Sequence, residues 1–79
     1  MDPIETIVTA ARKQEVVSIT YTKKNGETKS YDVEPYSQRG MALCMFDVNE
    51  GTIKKFNLDG IMSAESTGTT FSPRWDIEL

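Results

Sequence analysis

The strongest local constraint in this 79-residue chain is an Asn25-Gly26 pair set between two runs of alternating apolar and polar residues. Val17, Ile19 and Tyr21 alternate with Ser18, Thr20 and Thr22 before it; Tyr31 and Val33 alternate with Ser30, Asp32 and Glu34 after it. Period two is the signature of a strand with one buried face. Asn-Gly is suited to the two positive-φ positions of a type I′ turn. The segment is therefore expected to be a β-hairpin that ends or reaches a sheet edge at Pro35.

Downstream, turn signals recur every few residues. Gln38-Arg39-Gly40 leads into a third strand, Met41 to Phe46, whose unbroken apolar run implies burial on both faces. Asn49-Glu50-Gly51 reverses the chain into a strand from Thr52 to Leu58. Asp59-Gly60 breaks that pattern before a short strand around Met62 to Thr67. After a turn at Gly68, Phe71, Trp75, Ile77 and Leu79 share one parity, which reads as an amphipathic strand that Pro73 holds at a sheet edge. That strand could add to its own sheet or to that of a second copy, giving a homodimer.

Upstream, Asp2, Pro3 and Glu5 are helix-start signals, and Ile4, Ile7, Val8 and Ala11 fall on one helical face. Arg12 and Lys13 suit the negative end of the macrodipole. A helix over Pro3 to Lys13 is expected to cover the domain's own core. The fold class is then mainly β (α+β): an N-terminal helix packed on a small antiparallel five- to six-stranded Sm-like or SH3-like barrel, one domain over 1–79. Its core should contain Ile7, Val8, Ala11, Val17, Ile19, Val33, Leu43, Met45, Phe56, Leu58 and Ile61.

Composition narrows the function. With 38% hydrophobic and 27% charged residues this is a globular chain, and its longest apolar run of six residues is far short of a membrane span. Neither a secretory signal nor a second cysteine accompanies Cys44, which points to a reduced thiol in a cytoplasmic protein. The absence of histidine removes Ser–His and Cys–His catalysis and histidine metal ligation, and one cysteine makes no thiolate zinc site. No enzyme, metal or cofactor is expected. The net charge of -3 includes an acidic second half, so a nucleic-acid surface must be a local patch. Candidate ligand contacts are Tyr36, expected to be exposed for stacking, with Arg39, Lys54 and Lys55. Lys23, Lys24 and Lys29 form a further basic cluster around the hairpin. Trp75 is either a plug for the tail or, with Ile77, an interface anchor.

Glu34-Pro35-Tyr36, Phe56-x-Leu58-Asp59-x-Ile61 and the closing Phe71-x-Pro73-Arg74-Trp75, in this order, resemble the WYL domain, a small Sm-like barrel often found in bacterial regulators. The name-giving Trp-Tyr-Leu corresponds to Met41-Ala42-Leu43, where only Leu43 agrees. Lys54 stands for one family arginine, and Gly60 replaces another before Ile61. The resemblance implies a regulatory, ligand-sensing module. WYL domains usually follow a helix-turn-helix; some bind single-stranded DNA or RNA, and others are proposed to bind nucleotides. A stand-alone bacterial or phage version is expected here. It would bind a short single-stranded nucleic acid or a nucleotide, or else serve as a protein-interaction adaptor for a regulatory partner.

Overall fold

The computed structural model describes residues 2–79, with one helix, α1 (Pro3–Lys13), and five strands: β1 (Glu15–Thr22), β2 (Thr28–Arg39), β3 (Ala42–Asp47), β4 (Thr52–Asn57) and β5 (Ile61–Thr70). The helix starts where Asp2 accepts a 2.8 Å hydrogen bond from the Ile4 N–H and Pro3 occupies the first turn. It stops at Gln14, whose left-handed backbone (φ 57°) returns its N–H to the carbonyls of Ala10 and Ala11. Among the described residues, no helix is long and apolar enough to cross a membrane.

All strand pairs are antiparallel, in the order β4-β3-β2-β1-β5. In a flat sheet the two edge strands would lie about 19 Å apart, four strand spacings. Yet β4 and β5 are joined by one 3-10 turn, Leu58–Gly60, which advances only about 6 Å. The sheet therefore has to curl into a barrel. One hydrogen bond crosses between non-neighbouring strands and holds the curl: the Asn57 N–H at the end of β4 donates to the Tyr21 hydroxyl of β1 at 3.0 Å.

Inside the barrel, alternate residues of each strand meet: Val17, Ile19 and Tyr21 on β1, Tyr31 and Val33 on β2, Leu43 and Met45 on β3, with Phe56 and Ile61. Ile7 and Ala10 of α1 join this core. Tyr21, Tyr31 and Phe56 form an edge-to-face trio with centroids 5.1–6.4 Å apart. Of the expected core, Val8 and Leu58 are only half-buried, while Ala10, Tyr21, Tyr31 and Tyr36 are additional buried groups. Gly60 is as much a packing residue as these. A Cβ placed there would lie 2.6 Å from the Tyr21 ring and 2.8 Å from the Thr22 carbonyl oxygen.

β2 does not end or reach an edge at Pro35 but runs on to Arg39 at the centre of the sheet, and Gly68 lies inside β5 rather than in a turn. Three further local expectations are corrected. The first hairpin is not a two-residue type I′ turn, because Asn25 keeps a negative φ. The Gly26 N–H instead bonds to the Lys23 carbonyl at 2.9 Å, with Gly26 alone at positive φ, so the connection is a bulged Lys23–Glu27 loop. Second, β3 is fully buried on one face only; its other face, including Cys44 and Phe46, is half-covered. Third, residues 71–79 form no strand. They cross the outside of the sheet as an irregular strap, tied by Phe71 N–H to the Gln14 carbonyl (2.9 Å) and Glu78 N–H to the Tyr36 carbonyl (2.7 Å).

Gly60→Ala is expected to destabilise the fold by about 1–3 kcal/mol, since neither a packed ring nor a backbone carbonyl can yield cheaply. Thermal unfolding followed by circular dichroism measures this; an unchanged melting temperature would contradict the tight closure described here.

Candidate ligand groove and the strapped face

Where the barrel closes, the first hairpin loop, the start of β3, the 3-10 turn and the start of β5 surround an open groove of about 510 Å3. Tyr21 and Gly60 form part of its lining, Lys23 and Lys24 bring cations, and Met41 and Met62 bring exposed thioethers. Asp59 sets one carboxylate among these groups. Two of these positions are the ones where the family resemblance places a tryptophan (Met41) and an arginine (Gly60). No side chain fits at residue 60 while the Tyr21 ring and Thr22 carbonyl stay in place. Met62 and Asn57 carried no signal in the sequence, because only barrel closure brings the ends of β4 and β5 to the hairpin loop.

The expected ligand residues do not form one cluster. Tyr36 is fully buried and cannot stack on a ligand. It is the extra residue of a bulge, where the β2–β3 register shifts between Pro35 and Ser37. Lys54 is engaged by Asp47 at 3.0 Å and by Glu50, and lies over the Tyr31 ring. Arg39 and Lys55 do share the outer face. Arg39 pairs with Ala42 and Lys55 with Cys44, alternate positions of the intervening strand. Arg39 also lies in the strand row of Asn57, which lines the groove.

Lys54 belongs to a turn-building cluster. Asp47 is almost completely buried, and its carboxylate accepts from the Asn49 and Glu50 N–H groups at 3.0 and 3.2 Å. Burial alone would raise the Asp47 pKa, but the Lys54 ammonium and the two backbone donors outweigh it and hold the carboxyl below its usual 3.8. Lys54 in turn is pushed up to about 12 by hydrogen bonds to Glu50 and Asp47.

The strap builds a second apolar layer on the outer face. Trp75 stacks on Tyr36 at 4.5 Å and meets the edge of Phe46 at 6.2 Å, while Phe71 packs against Tyr36 at 5.8 Å. Trp75 covers the Tyr36 ring with one face and is 43% exposed. Ile77 is half-buried. The buried Glu34 carboxylate accepts from the Tyr36 hydroxyl at 2.6 Å and from the Arg74 guanidinium at 3.1 and 3.4 Å. The same hydroxyl accepts the Arg74 N–H at 3.1 Å. Burial and the bond to Glu34 push the Tyr36 phenol up to about 12.

These shifts have opposite consequences along the pH scale. Asp47 is depressed in the fold, so its contribution is present above the unfolded value and lost as pH falls through the folded one. Stability is expected to drop below about pH 4, and Asp47→Asn should be less stable at neutrality yet flatter in acid. Tyr36 is raised, so its contribution is complete below the unfolded value of 10.0 and lost as pH climbs through about 12. Tyr36→Phe should start lower by about 1–2 kcal/mol, having lost two buried hydrogen bonds, and should show a shallower alkaline decline. Urea melts across pH measure both; parallel acid limbs or parallel alkaline limbs for variant and parent would contradict the respective assignment.

Comparisons with known proteins agree with this architecture. The solved structure of the Proteasome accessory factor B/C (PafBC) of Arthrobacter aurescens matches 87% of this chain with a TM-score of 0.73 at 23% identity. That likeness is one of fold, and the present chain spans 12% of that protein's length. No curated protein matches the sequence. The family model described as WYL domain, however, matches residues 2–66, most of the chain. This chain belongs to the WYL domain family.

Proposed function

We propose that this chain is a non-catalytic, ligand-binding regulatory module that takes a short single-stranded nucleic acid or a nucleotide at the barrel-mouth groove. The observation that carries this reading is the meeting of two cations, Lys23 and Lys24, with exposed Met41 and Met62 in one open groove. The ammonium groups can replace counterions on phosphate, and the thioethers offer polarizable surface to a base. Arg39 and Lys55 extend the positive lane along the outer face, while Lys54 stays with its carboxylates. Family membership supports a regulatory role, and a chain without histidine fits binding better than acid–base chemistry. A cytoplasmic setting is part of the same proposal.

Exposed Met41, Ile53 and Met62 favour a second reading, an adaptor that docks a regulatory protein without nucleic acid. Fluorescence anisotropy with labelled oligonucleotides separates the two. A dissociation constant of about 10–100 μM is expected, weakening on the order of ten-fold between about 50 and 200 mM salt. Lys23→Ala with Lys24→Ala should weaken binding about ten-fold and flatten the salt dependence. Absent or salt-independent binding would discard the nucleic-acid reading in favour of the adaptor.

A further inference from the structure

The strapped face has the construction of a recognition site. Glu34 is 4% exposed, and its carboxylate is met by both the Nε and Nη2 atoms of Arg74. The guanidinium carbon lies 4.0 Å from the Phe46 ring centroid, so the cation is clasped between a carboxylate and an aromatic face. Trp75 then covers the Tyr36 ring, and the bulge leaves the Tyr36 carbonyl free for the Glu78 N–H. The floor therefore reads three things in one irregular segment: a forked cation, a large aromatic after it, and a backbone donor three residues further on.

The segment that fills this floor is held by side-chain contacts and single backbone hydrogen bonds rather than by a strand ladder. No residue of 71–79 enters the sheet, and Ser72, Pro73, Arg74 and Trp75 are all exposed to a large degree. The strap also lies beyond residues 2–66, the portion matching the family model. If it lifts, the Glu34 charge stays in a mostly buried site without its cation, a state that favours recapture of an equivalent group.

We infer that the hollow formed by Glu34, Tyr36 and Phe46 is a docking site for an arginine–aromatic segment, and that its second occupant is the Arg74–Trp75 strap of another copy of this chain. Exchange across a two-fold axis would reproduce every strap contact between copies, so it costs association entropy but no contact. The exposed Ser72-Pro73 link after Phe71 is where the chain would redirect. This inference is independent of the groove, which lies at the barrel mouth.

Complementation of two full-length variants tests it. A chain carrying Arg74→Ala and Trp75→Ala keeps the hollow and lacks the key; a chain carrying Glu34→Gln keeps the key and lacks the lock. Each alone is expected to be monomeric by light scattering, and an equimolar mixture should form a 1:1 heterodimer. A mixture that stays monomeric while circular dichroism shows both variants folded would overturn the inference. Should either variant fail to fold, the parent chain and a fluorescent peptide of residues 71–79 replace them. The parent should capture that peptide about ten-fold more tightly than a peptide with lysine at position 74, because an ammonium lacks the guanidinium fork. Equal capture of the two peptides, or capture of neither, would overturn the inference as well.

Discussion

The connection between β4 and β5 governs this molecule. Three residues have to link strands that a flat sheet would place at opposite edges, and the sheet rolls up to let them. Rolling brings Tyr21, Tyr31 and Phe56 into one edge-to-face group and allows the Tyr21 hydroxyl on β1 to meet the Asn57 N–H on β4. Gly60 is small because the turn passes directly over the Tyr21 ring. The groove at the mouth is a by-product of the same closure, assembled from the ends of elements that are distant in sequence.

A barrel this small has little interior, and the chain adds burial at two places. The helix contributes Ile7 and Ala10 to the core, and the strap builds an aromatic layer on the outer face. The two additions differ physically. The helix is capped and held by apolar packing, whereas the strap depends on one buried carboxylate, one phenol and a clasped guanidinium. Charge placement follows a similar division: Asp47, Lys54 and Glu50 neutralise one another to shape the β3–β4 turn, and Lys23 pairs with Glu27 at 3.4 Å in the exposed hairpin loop.

Much of the fold was legible in the residues themselves. Helix α1 has the expected bounds because its start signals and apolar spacing are local properties, enforced within a few residues by capping and periodicity. The hairpin strands were legible for the same reason, since period two reports directly on which side chains face inward; the unbroken apolar run of β3 marked a strand but not that only one of its faces is fully buried. Tyr36 shows the limit. Beside a proline and close to a turn signal it looked exposed, but a bulge rotated it beneath the strap. The tail shows it again: Phe71, Trp75, Ile77 and Leu79 have strand parity, yet they obey contacts with Tyr36, Phe46 and the core.

The amino-acid sequence by itself determined the element order, the inward-facing residues of the hairpin and central strands, the lack of catalytic histidine and the family pattern. Tertiary structure alone decided which cations share a face, that Lys54 is tied to Asp47 and Glu50, and that Glu34, Tyr36, Phe46, Arg74 and Trp75 form one network. The physical reason is the range of the interactions. Propensity, capping and alternation act over a few residues and leave a mark in local order. Barrel closure and ion pairing join residues some 40 positions apart, as Glu34 and Arg74 are, and a pairing at that distance has no local signature.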